Sequence, residues 1–556
     1  TAESSGGVMR IVVTHDGTEY FPKLFRHLTV RRDEPYTLSF RIRRTGTKEK
    51  VRHGLAVADT TGGWRSLGLF RTLQVGDAWQ TVSQAFVAGD DSSQAQLQIT
   101  RFKTGTYEIA DLSFRHGMDQ GFNPIWRIED GTVVALKSTD APSRQARLDF
   151  CRFLFGTERA YWTELADYLR QELGVRVPIA GTQLGYSPPA IQAELDYVDN
   201  HSYWCHPSPV NPAWEIRNES MVSSLSCIRG LATQRVIGKP YTISEYNHPF
   251  PNQYGAEGQP MLRAYGSFQG WDGVFEYTYN HRSDFEPSSN TYFFSMIART
   301  DVLAHIPACA AIYLRGDVRE GTTTVVGSLG PKAYLERLAT SRSIGAGFGA
   351  LGLDSRLALL CKTAMDLTGN PGTASAPAIA DGQKVFVSDT GELIWNVEES
   401  GGAYFAVDTP DTKLFTGFPK ERTISLGKVA LAVGETRLGW VTVSLVSRQA
   451  TGFGGDARPA SILLAATGLA ENHNMTIEEL GNHHIRLQEP WGEPSVWVEG
   501  IPATVRLPAN PARVRWFALD PAGERKQELP VEAADGGSLL VLKPEYETIW
   551  YEIAVQ

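Results

Sequence analysis

The sequence predicts a multidomain protein. A (β/α)8 TIM barrel, with its C-terminal half countable in this chain, lies between an N-terminal β-sandwich jelly roll and a C-terminal β-sandwich. Three observations predict this. Residues 1–117 hold short runs that alternate apolar and polar positions, the period of half-buried strands. Residues 118–316 alternate helical and strand-like segments, which argues for a parallel sheet or barrel. Residues 317–556 return to short apolar runs punctuated by Gly and Pro.

In the first segment, Pro35–Arg43, Trp79–Phe86 and Gln96–Phe102 carry the alternation, with turns expected at Gly62-Gly63, Gly76-Asp77 and Gly89-Asp90-Asp91. Tyr36–Phe40 (YTLSF), the Trp79-Gln80 pair and the closing run Thr106–Phe114 follow in an order that resembles the jelly-roll carbohydrate-binding modules of families 4 and 9. A sandwich that binds nothing is the competing reading of the same pattern. In the second segment a helix is predicted over Ala141–Leu173. Pro142 and Ser143 suit its start, and Phe150, Phe153, Leu154, Tyr161, Leu165, Tyr168 and Leu169 recur at helical spacing. Strands are then expected at Val175–Ala180, Tyr197–Tyr203, Pro240–Glu245 and Gly273–Tyr279. Helices are expected near Pro188–Leu195, Asn218–Gly230, Met261–Gln269 and Thr291–Thr300. The third segment contains candidate strands at Lys384–Ser388, Glu392–Trp395, Ile424–Gly427, Gly439–Leu445, Ser461–Ala466 and Ile549–Val555. It also holds a helical interruption at Ala333–Leu338 and a linker-like stretch at Gly369–Ala380.

Composition narrows the function classes. The 556 residues carry a net charge of -9 and no Lys/Arg cluster suited to a nucleic-acid backbone. No apolar run approaches the ~20 residues that cross a bilayer as a helix. Five scattered cysteines without a CxxC pair give no zinc or redox motif, and no metal or cofactor is expected. The compartment stays open: secreted or periplasmic if an upstream signal was removed, cytoplasmic otherwise.

The candidate chemistry sits at three strand ends. Asp199–Trp204 (DNHSYW), Tyr241–Asn247 (YTISEYN) and Trp271–Tyr277 (WDGVFEY) each close on polar and aromatic side chains that suit a sugar. Barrel enzymes assemble their sites from such strand ends. His201 and Tyr203 alternate, so their side chains point the same way. Gln183 ends the run after Val175–Ala180 and suits a sugar hydroxyl. The run Pro240–Asn247 resembles the seventh strand of clan A glycoside hydrolases, near family 5, and His201-Ser202-Tyr203 resembles the H-x-Y of their sixth strand. The resemblance implies a retaining hydrolase of β-linked glycans with Glu245 as nucleophile. It implies that Tyr203 orients that carboxylate, that His201 meets the sugar, and that Asn200, Trp204 and His206 border the cleft. Trp271, Glu276 and Tyr277 mark the eighth strand, with Tyr277 or Tyr279 as the aromatic platform.

Retaining hydrolysis needs a second carboxyl about 5–5.5 Å from the first. The clan places it as Asn-Glu after strand four, ahead of the segment that resembles it here. The expectation is therefore an acid/base and four further strands on an upstream fragment, with an internal acid such as Glu158 as the alternative. A non-catalytic carbohydrate-binding or scaffold protein is the competing function, and a lyase or transglycosylase the third. A partner other than an oligo- or polysaccharide, or that upstream fragment, is not expected.

Overall fold

A computed structural model of the chain describes all residues except 1, 6, 17–20, 62, 118–128, 130, 132–143, 211–212, 226, 287, 341–347, 371–375, 399, 401 and 455–458. The predicted helix start at Pro142-Ser143, Gly62 and part of the Gly369–Ala380 stretch thus lie outside the described residues. The chain forms two compact units: residues 1–161 with 332–342, and residues 162–331 with 343–556.

The first unit is an antiparallel sandwich of nine strands: β1 (Ala2–Ser5), β2 (Val8–Val13), β3 (Leu24–Val30), β4 (Pro35–Thr45), β5 (Val51–Asp59), β6 (Arg65–Val75), β7 (Gln80–Val87), β8 (Ser92–Thr100) and β9 (Gly105–His116). One sheet runs β1-β2-β9-β4-β7 and the other β3-β8-β5-β6. Period two explains the layering. Leu38, Phe40 and Ile42 of β4, with Tyr107 and Ile109 of β9 beside them in the same sheet, face Leu55 and Val57 of β5 and Leu97 and Ile99 of β8 in one apolar core.

His53 of β5 lies fully buried in that unit, with ring contacts to Phe102 (4.9 Å) and Tyr107 (5.2 Å) and Nδ1 3.3 Å from the Thr100 carbonyl oxygen. Burial pushes its pKa down to about 4, against an ordinary 6.5. A base depressed in the folded state contributes stability above its unfolded pKa and loses it as pH falls toward the folded one. The sandwich is therefore expected to lose up to about 3 kcal/mol between pH 6.5 and 4 through this group. Denaturant melts of wild type and His53→Gln across that window check this. The variant's stability should lack that part of the pH slope.

In the second unit, two antiparallel sheets of nine and five strands enclose a common core. Phe415, Val443, Ile462, Trp516 and Ile553 come from one sheet, and Leu431, Val505 and Leu540 from the other. This is the β-rich C-terminal architecture expected from the third segment.

The (β/α)8 barrel expectation is overturned. Parallel pairing among the described strands is confined to the three-stranded sheet Val198–Tyr203, Tyr241–Asn247, Gly273–Val274 and the two-stranded pair Thr324–Ser328 with Lys362–Asp366. Helices are too few and too short for eight crossovers: among the described residues only Arg144–Gln171, Gly258–Gln269 and Pro331–Thr340 reach ten residues. Each local misreading has a cause. Val175–Ala180 is no strand, because its backbone is satisfied by side chains. Arg170 Nη1 donates to the Val175 and Val177 carbonyls at 2.8 Å, and Ile179 N donates to Asp196 at 2.7 Å. Pro178 within it lacks a donor for a ladder. The helix expected over Asn218–Gly230 shrinks to Cys227–Ala232. Ser220 instead caps a single 3-10 turn, Met221–Ser223. The helix near Pro188–Leu195 is only Pro189–Gln192. The one placed at Thr291–Thr300 is displaced to Thr300–Leu303 and Ile306–Tyr313. With no barrel to complete, the upstream fragment carrying four strands loses its premise.

All five cysteines are free. Among the described residues no helix is long and apolar enough to cross a membrane, and no cluster of three or more His, Cys, Asp or Glu could hold a metal ion.

Candidate functional site

Among the described residues, each unit has a concave site where aromatic and polar side chains meet. The first is built on the three-stranded parallel sheet. Val198–Tyr203 pairs with Tyr241–Asn247 in a register that shifts between Asn200 and His201. Asn200 faces Ile243 and His201 faces Glu245, leaving Ser244 as the extra, bulged residue. The bulge brings His201, Tyr203 and Glu245 together. Tyr203 donates its hydroxyl to Glu245 Oε2, and His201 Nδ1 lies 3.2 Å from the same oxygen. His201 Nε2 lies 2.7 Å from Ser244 Oγ and 3.3 Å from Asp199 Oδ2. Ser244 donates to Asp199 from both its hydroxyl (2.6 Å) and its N–H (3.0 Å), and Thr242 donates at 2.5 Å. Burial raises the Tyr203 pKa, and the Glu245 carboxylate beside it raises it further.

Glu245, His201, Asp199 and Ser244 border a cavity of about 500 Å³ also lined by Thr182, Gln183, Tyr186 and Tyr197. Among the described residues lining it, the second carboxyl is Asp199, which neighbours Glu245 through His201 and is occupied by three donors. Beyond Tyr203 an aromatic cluster continues through Tyr277 (6.1 Å), Phe294 (5.2 Å) and His206 (5.1 Å). Asn247 holds this wall by donating to the Tyr277 and Phe294 carbonyls at 2.6 and 2.7 Å.

Other sequence-selected residues lie elsewhere. Asn200 turns inward, donating to Gln234 and to Tyr241 Oη at 3.0 Å each. Trp204 is buried and donates to the Glu219 carbonyl at 2.9 Å. Trp271 is buried edge-on against Tyr241. Glu276 is enclosed beside Arg263 (3.9 Å). Burial pushes its pKa up to about 8 in spite of that guanidinium.

The second site is the outer face of the β3-β8-β5-β6 sheet, which sequence reasoning did not single out. Arg52, Gly54 and Ala56 of β5, Phe70 and Thr72 of β6, and Gln98 and Thr100 of β8 share that face by period two, opposite the core residues between them. The ladder aligns Phe25, Gln98, Ala56 and Phe70 in one row across all four strands. That places the two phenylalanines about 14 Å apart, three strand spacings of about 4.8 Å. Trp64 leans edge-on to Phe70 at 5.8 Å, and both stand exposed, at 53% and 41%. Phe21, Lys23 and Arg101 complete a cleft of about 540 Å³. On its floor Gln98 is 4% exposed and donates to Gln96 Oε1 at 2.9 Å, which Lys23 also reaches at 3.4 Å. Gly54 keeps that floor low, since a Cβ there would meet Thr100 Oγ1 at 2.6 Å.

No family model and no curated protein matches the chain. Similar solved structures include one described as a CBM4, at 16% identity and a TM-score of 0.19, covering 21% of this chain and 75% of the other. Another is the N-terminal cellulose-binding domain of Cellulomonas fimi β-1,4-glucanase C, at 13% and 0.19, covering 21% and 84%. A third contains the CBM22-1-GH10 modules of Clostridium thermocellum xylanase 10B, at 13% and 0.17, covering 24% of each chain. At these scores the likenesses assign neither ligand nor activity to this chain. They do not carry the resemblance to family 5 glycoside hydrolases.

Proposed function

We propose that this chain is a carbohydrate-recognition protein whose N-terminal sandwich binds a β-linked glycan along the outer face of the β3-β8-β5-β6 sheet. The observation that carries this reading is the combination of exposed Trp64 and Phe70 with polar side chains, among them Lys23, Arg52 and Gln98, lining the same cleft. A pyranose offers an apolar face and a rim of hydroxyls. An aromatic wall covers the first, and amide and guanidinium groups bond the second. Exposed aromatics alone would serve any apolar partner. The polar side chains that line the cleft, Lys23, Arg52, Thr72 and Arg101, would lose water under an apolar ligand and favour one that returns hydrogen bonds. Calorimetric titration of the intact chain with soluble β-glucans and xylans tests it. Saturable binding to at least one glycan, lost in the Trp64→Ala/Phe70→Ala variant, is expected. Binding that survives the double substitution moves recognition elsewhere, and no binding across the panel overturns the reading.

A second reading is favoured by one observation, the convergence of Tyr203 and His201 on Glu245 Oε2. In it the central cavity takes a sugar, and Glu245 attacks the anomeric carbon to give a glycosyl-enzyme intermediate that water then hydrolyses with retention. With an aryl leaving group the C–O bond breaks as the phenolate departs, so this step requires no proton donor. On this reading Tyr203→Phe lowers kcat by about tenfold or more and changes KM by no more than about twofold, because the phenol holds the carboxylate's attacking geometry. Steady-state kinetics on aryl β-glycosides check it. A raised KM with unchanged kcat makes Tyr203 a ground-state contact only.

A further inference from the structure

We propose that the N-terminal cleft takes an acidic glycan, a β-linked chain in which some sugars are uronic acids, and that Lys23 and Arg52 bind the sugar carboxylates. The proposal rests on glycan recognition by this cleft and names the class of glycan.

The charge of the lining carries it. Three cations, Lys23, Arg52 and Arg101, border the cleft, and no Asp or Glu stands among the described residues that line it. The chain as a whole has 53 Lys and Arg against 62 Asp and Glu, so a lining of one sign is not its background. Asp59, the carboxylate at the far end of β5, is seven residues from Arg52, about 24 Å along the strand. It is engaged there by Thr61, Ser92 and Arg65.

Neither Lys23 nor Arg52 has a carboxylate partner among the described residues. Neutral groups hold Lys23 in place. Its Nζ lies 5.5 and 5.3 Å from the ring centroids of Phe21 and Phe25, and 3.4 Å from Gln96 Oε1. These contacts fix the ammonium on the face and leave it without a counter-charge. A glycan laid over the cleft displaces water from both cations. A neutral sugar returns ordinary hydrogen bonds, whereas a carboxylate returns charge-assisted ones about twice as strong. The planar fork of Arg52 also matches a planar carboxylate.

The register separates the charged and apolar contacts. Ala56 shares a row with Phe25, Gln98 and Phe70, and Arg52 lies four residues away on β5, about 14 Å along the strand. Stacking and charge pairing therefore fall on different sugars of one chain, so the ligand is an oligosaccharide with bare apolar faces between its acids. A nucleic acid carries a phosphate on every residue and needs cations throughout its path. The row from Phe25 to Phe70 offers none.

The test is calorimetric titration of the intact chain with glucuronoxylan and with the same polymer after its carboxyl groups have been reduced to alcohols. Wild type is expected to bind the acidic form about tenfold tighter at low salt, an advantage that shrinks as salt rises to about 0.5 M. The Lys23→Gln/Arg52→Gln variant should bind both forms equally, and the reduced form as wild type does, which also shows that it folds. If the double variant does not fold, Arg52→Gln alone, at an exposed position, should cut the preference to about threefold. Equal binding of the two forms by wild type, or a preference that survives these substitutions, overturns the proposal and leaves glycan recognition standing. Binding of neither form overturns both. A single-stranded oligodeoxynucleotide bound as tightly as the acidic glycan would make the cleft a general polyanion site and overturn the proposal too.

Discussion

Glu245→Gln is expected, on the hydrolytic reading, to lower glycoside turnover by about a thousandfold or more, roughly 4 kcal/mol of transition-state stabilisation. The amide preserves the volume of the side chain and an oxygen to accept the Tyr203 hydroxyl, so the fold should persist. It has no anionic oxygen to bond the anomeric carbon. On that reading the loss should fall on kcat, with the sugar seated by the other residues that line the cavity. The same substitution should leave glycan binding at the N-terminal cleft unchanged, since Glu245 lies in the other compact unit. Retention of more than roughly a tenth of wild-type activity would remove Glu245 from the chemistry. The measurement is steady-state hydrolysis of aryl β-glycosides, with circular dichroism to check the fold.

Trp64→Ala is expected to weaken glycan affinity about thirtyfold, from a loss of about 2 kcal/mol typical of an aromatic anchor. Trp64 stands edge-on to Phe70 and supports it, so the two losses should not add. Combining them should bring binding below detection for a ligand of micromolar affinity. Gln98→Leu probes the floor instead. It should cost less than the loss of the wall yet change which glycan is preferred, because amide groups read hydroxyl orientation. A Trp64→Ala chain with unaltered affinity would place the glycan off this face.

The sandwich strands were legible because half-buried strands write period two into the sequence. Tyr36–Phe40 and Gln96–Thr100 show it plainly, and both became strands of the first unit. The shared direction of His201 and Tyr203 was legible for the same reason, since alternate residues of a strand point one way; that Glu245 joins them depends on the register shift at Ser244. The size of the sheet behind them was not. A run such as Tyr241–Asn247 looks the same in a three-stranded sheet as in an eight-stranded barrel, since strand count is a property of partners far along the chain. The bulge at Ser244 was equally invisible, because it follows from the register of two strands about forty residues apart. The cleft of the N-terminal unit went unread for a third reason. Gln96 and Gln98 look like ordinary outward-facing positions of β8, and only their low exposure marks the face as concave. The signal available beforehand was weaker: Trp64 placed just after Gly63, followed by Phe70 and Thr72 on the outward positions of β6.

Glycan recognition by the N-terminal sandwich is tested most directly by hydrogen exchange on the intact chain, with and without a saturating soluble β-glucan or xylan oligosaccharide. Occupancy of the cleft should slow exchange of the amides in β5, β6 and the 98–101 segment. The nine-stranded sheet of the other unit should stay unchanged. Slowed exchange around residues 180–201 and 244–245 with none in β5 and β6 would contradict recognition at the cleft, as would a calorimetrically saturated chain with no protection on that sheet.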